Sequence, residues 1–353
     1  MNVFRSRSRG DGTGKRLNMA VTCVVTCLVL GCAHELTAGP GLVVGRLTWV
    51  EASESVPYGY WYYVPESALD GRVIGLVWHA TPGGTDPDDS AFWARFDLPK
   101  FLACRTLWGR PPTNLAETHG MTLFSIAVPR PAASFYEARS GEPLGLPDAI
   151  SSFGRLESID QTYRNPDLQA IQSIADLESR LSDRGIPFDP RLFLTGVYTG
   201  AEWAHRFSLL HPERVRAVAP VAGNVYTMPF YDVDGRPLFW PLGLSGLETL
   251  GRERVNWPVY ARIPYYITTS IHENVWYDRM TPEEQGIEMD SLDRYVEHFG
   301  SIPPEREASL ASALSGVGLD ARLVWSEGGH GWTDAVRGRV FEFFASFELS
   351  DSP

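Results

Sequence analysis

The chain has 353 residues, 44% of them hydrophobic, enough for one large α/β domain or two small ones. Its formal charge is −12, and an acidic body argues against nucleic acid as a partner, because phosphate binding needs a basic footprint. No repeat at a solenoid period and no long low-complexity stretch runs through it.

Residues 1–31 read as a targeting segment. Five basic side chains (Arg5, Arg7, Arg9, Lys15, Arg16) and one acid (Asp11) give them a net +4, so the rest of the chain stands at −16. The apolar run Met19–Leu30 has the length of a signal-peptide core and is short for a membrane span. The eighteen residues before Met19 make a long basic leader, so Met19 is a second candidate start. The run ends in Val29-Leu30-Gly31-Cys32, which resembles a bacterial lipobox. That resemblance implies a lipid on Cys32, export, and attachment to a membrane of the cell envelope. An ordinary secretory signal cut nearby is the alternative. Cys23 and Cys27 leave with the leader and Cys104 alone remains in the body, so no intramolecular disulfide is expected there. No Cys/His cluster has zinc spacing, and no metal or organic cofactor is implied.

Residues 32–41 form a tether, and 42–350 are expected to be one domain. "LVVGRLTWVEA" and "YGYWYYVPES" predict an antiparallel strand pair. "GRVIGLVWHATPGGTD" predicts a buried strand over Val73–Trp78 and then a Gly/Pro loop, and "GMTLFSIAVPRP" predicts another strand. From Asp167 to Arg184, Leu168, Ile171, Ile174, Leu177 and Leu181 repeat at helical spacing. "RLFLTG" is a strand, "GAEWAHRFSLLHP" a helix and "RVRAVAPVAG" a strand. "IPYYITTS", one helical stretch over about 282–314, "ARLVWSEGGHGW" and a closing helix from Thr333 to about Phe347 complete the pattern. Strands alternating with helices predict a mainly parallel sheet covered on both faces. Residues 225–258, rich in Pro, Gly and aromatics, break the alternation as an insertion: either a lid over the site or a packed excursion.

The stretch Gly196-Val197-Tyr198-Thr199-Gly200 joins strand to helix. Its glycines are expected where strand and helix approach too closely for a Cβ. "LTGVYTGAEWAHRFSLLHPERVRAVAPVAG" is similar to the elbow region of α/β-hydrolases of the polyhydroxybutyrate depolymerase and feruloyl esterase type, which show Gly-Phe/Tyr-Ser-x-Gly-Gly/Ala here. The resemblance extends more loosely over about Tyr58–Phe347. It implies the α/β-hydrolase fold, with nucleophile, acid and histidine in that chain order.

Carried over by position, Tyr198 stands where the family has its nucleophilic serine. His330, in "SEGGHGWTD", matches the family's base, with Gly328, Gly329 and Gly331 giving its loop reach. Glu273 is the first candidate for the acid and Asp278 the second. The oxyanion hole falls to backbone N–H groups of Gly83 and Gly84, in "HATPGGT", together with Thr199. A bulky residue at Tyr198 predicts that the elbow's backbone angles relax. Thr195 reads as an ordinary strand residue and His205 as a packing or capping residue.

Three roles for the elbow follow. The phenol fills the pocket and nothing covalent happens; or Tyr198 attacks as a phenolate, against an ordinary pKa near ~10; or Thr199 substitutes from one position off the apex. Three functions correspond: a non-hydrolytic binder of an ester, glycan or hydrophobic fragment, an esterase with an unusual Tyr198–His330 site, or a structural or partner-binding surface lipoprotein.

Overall fold

The computed structural model describes residues 41–80, 111–128, 165–223, 225–270, 289–327 and 332–349. In chain order its strands are β1 (Thr48–Val50), β2 (Tyr60–Tyr63), β3 (Ile74–Ala80), β4 (Met121–Ile126), β5 (Phe188–Val197), β6 (Val215–Val221), β7 (Asp232–Val233), β8 (Arg236–Pro237), β9 (Tyr265–Ser270) and β10 (Ala321–Ser326). The helices are α1 (Pro112–His119), α2 (Pro166–Asp183), α3 (Thr199–Leu210), a single turn α4 (Trp257–Tyr260), α5 (Met289–Phe299), α6 (Pro303–Gly316) and α7 (Asp334–Ala345).

Eight strands form one sheet in the order β1-β2-β4-β3-β5-β6-β9-β10, and β7 and β8 pair by themselves. The two aromatic runs pair antiparallel as expected, with Trp49 opposite Trp61. β2 also runs antiparallel to β4, and every other pair in the large sheet is parallel. All residues of β3 and β4 are buried, as apolar runs covered on both faces require. This is the mixed, mostly parallel sheet of the α/β-hydrolase fold.

Two apolar layers sandwich the sheet. On one face Ile174 and Leu177 of α2, Phe207 of α3 and Leu310 of α6 join Tyr60, Trp78 and Leu194 in one core cluster. Trp78 meets Trp203 and Phe207 edge-on, at centroid distances of 5.3 and 5.0 Å. On the other face Leu115 of α1 and Phe341 and Phe344 of α7 join Val77 and Phe193. Each such large side chain contributes about 1.5–3 kcal/mol on burial.

Three details depart from the expectations. The stretch read as one helix over 282–314 is two where it is described, because Gly300 sits at φ 111° and Pro303–Pro304 restart the chain. α1 was not expected at all. β5 begins at Phe188 rather than at Arg191.

Residues 225–258 are packed rather than loose. Leu238, Leu242, Leu244 and Leu247 are buried in the first cluster. The fully buried Arg206 of α3 donates from Nε to Thr227 Oγ1 at 3.0 Å and from Nη2 to the Val225 carbonyl at 2.8 Å. Glu202 Oε1 accepts the Val225 N–H at 2.8 Å. Arg252 reaches back to Asp167 at 2.5 Å. Tyr198 packs against the other cluster, on the far side of the sheet.

Candidate active site

In a parallel sheet the loops at the C-terminal strand ends gather on one edge, and ligands bind where the strand order reverses. Here the order reverses at β3, whose last residue Ala80 pairs with Gly196 of β5. The candidate oxyanion loop leaves from β3, the elbow from β5, the acid-bearing stretch from β9 and the histidine loop from β10, all at this edge. Gly83, Gly84, Glu273, Asp278 and His330 themselves lie outside the described residues, as do Cys32 and Cys104.

The elbow is described in full along its backbone. β5 ends at Val197, Tyr198 follows, and α3 begins at Thr199. Tyr198 has φ 56° and ψ −123°, a region that costs a non-glycine residue on the order of 1–3 kcal/mol. The expected relaxation has not occurred. A Cβ on Gly196 would stand 2.4 Å from the carbonyl carbon and oxygen of Gly200 and 2.6 Å from the Ala80 oxygen. Strand and helix therefore touch backbone to backbone, and that contact fixes the turn whatever side chain sits at its apex. Hydrogen bonds hold it on both sides. The Tyr198 N–H donates to the Val221 carbonyl at 3.1 Å, and the Tyr198 carbonyl accepts from Ala201 at 2.9 Å and Glu202 at 3.2 Å.

The Tyr198 ring is half-buried against the cluster that contains Val197, Val221, Ala222 and Trp332. Burial pushes its phenol well above the ordinary pKa of 10.0. Even at the ordinary value only about one phenol in a thousand is ionised at pH 7.

Thr195 Oγ1 donates to the Ala219 carbonyl at 2.7 Å, an ordinary link between neighbouring strands. His205 is a packing residue. Its Nε2 donates to the Thr227 carbonyl at 2.7 Å, which leaves Nδ1 to accept from the Tyr265 hydroxyl at 3.1 Å. Burial lowers its pKa to about 4, so the ring is neutral at pH 7.

Two further groups at this edge escaped the sequence expectations. His79, the last residue but one of β3, is fully buried, and burial lowers its pKa to about 3. Glu307 of α6 reaches the ends of β6 and β9. Its Oε1 accepts the Gly223 N–H at 3.1 Å and the Tyr226 hydroxyl at 3.4 Å, and burial raises its pKa to about 8. The signal was legible: Glu307 shares a helical face with Leu310, Ala311 and Leu314. Among the described residues no group of three or more His, Cys, Asp or Glu side chains is placed to hold a metal ion.

No protein-family model matches the chain, and no curated protein matches it. Among solved structures it is similar to an S-formylglutathione hydrolase from Agrobacterium tumefaciens, with 13% identity and a TM-score of 0.42 over 83% of this chain and 91% of that one. Carboxyl esterase 2 from the fungus Tuber melanosporum shares 12% identity, with a TM-score of 0.42 over 84% and 80%. A ferulic acid esterase shares 10%, with a TM-score of 0.44 over 85% and 96%. The fold assignment rests on this chain's own strand order and elbow.

Proposed function

We propose that this chain is an exported α/β-hydrolase-fold protein, related to carboxylic-ester hydrolases, that binds an ester, glycan or hydrophobic ligand at the C-terminal edge of its sheet without turning it over. One observation carries this: a half-buried phenol with a raised pKa occupies the apex of an elbow that keeps its tight backbone. Hydrolysis by attack needs an ionisable hydroxyl within reach of a base and of the oxyanion donors. A phenol oxygen lies several ångströms beyond a serine hydroxyl, so donors arranged for serine miss the oxyanion it would create. The motif Val29-Leu30-Gly31-Cys32 supports attachment to the bacterial envelope through a lipid on Cys32.

The unrelaxed elbow also favours a second reading, slow turnover by a Tyr198 phenolate with His330 as base. The test is hydrolysis of short-chain p-nitrophenyl esters by the purified protein beside Tyr198→Ser, Tyr198→Phe and Tyr198→Ser/His330→Ala. An inert native protein and a Tyr198→Ser rate that disappears without His330 support binding without turnover. Native turnover abolished in Tyr198→Phe would sink it and install the phenolate. An inert Tyr198→Ser would remove His330 and the rest of the proposed site from consideration.

A further inference from the structure

β10 is the last strand of the large sheet, and only one of its two sides is paired among the described residues. It lies along β9 in unbroken parallel register, from Ala321 opposite Tyr265 to Ser326 opposite Ser270. The Tyr265 N–H donates to the Asp320 carbonyl at 2.8 Å, so the backbone groups of Asp320, Arg322, Val324 and Ser326 point to β9. The alternation of a strand then turns the N–H and C=O of Ala321, Leu323 and Trp325 outward. Among the described residues no backbone group bonds to this outward row.

Folded chains blunt such an edge with lysine, proline, a bulge or a very short strand. The sheet's other edge, β1, is three residues long. β10 is six residues long, has no lysine and no proline, and keeps its register throughout. Trp325 near its end is 49% exposed. Its one charged side chain, Arg322, is bridged to Asp320 at 3.4 Å. Ala321 and Leu323 pack towards the cluster that holds Leu310 and Leu314 of α6, so Arg322 stands on the opposite face. The tether cannot cover the edge of its own chain. Cys32 precedes Gly41 by nine residues, at most about 30 Å of extended chain. The chain enters beside β1, seven strand spacings or about 33 Å from β10.

The outward row is complementary to itself. A two-fold axis perpendicular to the sheet makes neighbouring strands antiparallel and keeps each face on its own side, so it pairs odd residues with odd ones. With Leu323 on the axis, Leu323 meets Leu323 of the second copy, and Ala321 and Trp325 meet its Trp325 and Ala321. Every outward N–H and C=O on both copies then has a partner. On the α6 face the large indole lies over the small alanine, with the two leucines between the two such pairs. Centring on Val324 instead would set Ala321 against Glu327, beyond the end of the strand. We propose that this chain forms a two-fold homodimer by antiparallel pairing of β10 with β10 of a second copy, centred on Leu323. The proposal does not rest on the ester-binding reading.

The experiment is sedimentation equilibrium of the full chain carrying Cys32→Ala, so that no acyl chain drives association, with and without Trp325→Glu. Trp325 is exposed, so the change spares the fold while placing a carboxylate against the apolar row. Register is read by oxidative cross-linking of Leu323→Cys and of Arg322→Cys, each in a chain whose four native cysteines are replaced by alanine. Residues directly opposite in a hydrogen-bonded pair have Cα atoms about 5.5 Å apart, within reach of a disulfide. The two Arg322 positions lie diagonally, about 8 Å apart, which a disulfide does not span. A dimer whose dissociation constant rises at least tenfold in Trp325→Glu, with cross-linking at Leu323→Cys and not at Arg322→Cys, supports the proposal. A monomer throughout the micromolar range overturns it and leaves the edge to a different chain. A dimer that Trp325→Glu leaves unchanged, or cross-linking at Arg322→Cys as fast as at Leu323→Cys, overturns it as well.

Discussion

The indole of Trp332 meets the imidazole of His79 edge-on, with ring centroids 5.2 Å apart and planes at 62°. Both rings are buried. The contact joins the end of β3, which leads into the candidate oxyanion loop, to the residue two positions after His330. Trp332 belongs in turn to the apolar cluster that holds Val197, Val221 and Ala222 beside the elbow. Trp332→Ala is expected to lower unfolding free energy by about 3–5 kcal/mol, the usual cost of emptying a large aromatic site. Trp332 Nε1 is buried with no hydrogen-bond partner among the described residues, so Trp332→Phe removes an unsatisfied donor along with area and is expected to cost far less. Urea denaturation of the three proteins checks the order. Equal losses in both variants would show that the indole nitrogen has a role that packing does not describe.

Gly196 and Gly338 make opposite predictions from the same substitution. A Cβ at Gly196 collides with backbone atoms of Gly200 and Ala80, which have no flexible end to move. Gly196→Ala should therefore cost several kcal/mol or prevent folding. A Cβ at Gly338, inside α7, meets nothing within 4 Å. Gly338→Ala should stabilise by about 0.5–1 kcal/mol, because alanine loses less backbone entropy in a helix. Thermal melts of the two variants should move in opposite directions, and a tolerated Gly196→Ala would refute the close approach at the elbow.

Asp167 is buried at the start of α2 and holds His211 Nε2 at 2.8 Å and Arg252 Nη2 at 2.5 Å. It thereby fastens residues 225–258 to the helical layer. Asp167→Asn keeps the shape and removes the charge, leaving the partly buried Arg252 cation without its carboxylate. Removing one partner of a buried pair costs about 3–5 kcal/mol. The loss should appear in denaturant melts, with earlier proteolytic cutting within 225–258 than elsewhere. Uniform cutting across the chain would mean that this ion pair does not anchor the segment.

The sheet was legible because its strands are apolar runs with turn residues between them, and the elbow because strand, glycines and helix stand in one short stretch. α1 escaped because "PPTNLAETHG" has little amphipathic pattern, although its leading prolines and closing Gly120 are helix start and stop signals. The break between α5 and α6 was written in Gly300, at φ 111°, and in the Pro303–Pro304 pair that restarts the chain. The backbone at Tyr198 was misjudged because steric cost was assigned to the apex residue alone. The angles are set by Gly196 against Gly200, the close approach that the glycines themselves announced and that holds the turn whatever residue stands at the apex. Glu307 was marked by the helical face it shares with Leu310, Ala311 and Leu314, whereas His79 stands in an apolar strand with nothing in the sequence to say that its ring is buried and neutral.

Those same two residues, with His205, set an expected pH profile of stability. Burial lowers the pKa of His79 from 6.5 to about 3 and that of His205 to about 4. Both rings must stay neutral in the folded state, so their contribution is fully present above 6.5 and is lost as pH falls toward 3. Burial raises Glu307 from 4.5 to about 8. Its protonated form is the one the fold accommodates, so its contribution is fully present below 4.5 and is lost as pH rises through about 8. Stability should therefore peak in the slightly acidic range and decline on both sides. Glu307→Gln keeps an acceptor for the Gly223 N–H and cannot ionise. It should match the native protein near pH 5 and exceed it by several kcal/mol near pH 9. Urea midpoints across pH 4–9 test this, and an alkaline decline that survives unchanged in Glu307→Gln would assign that limb to another group.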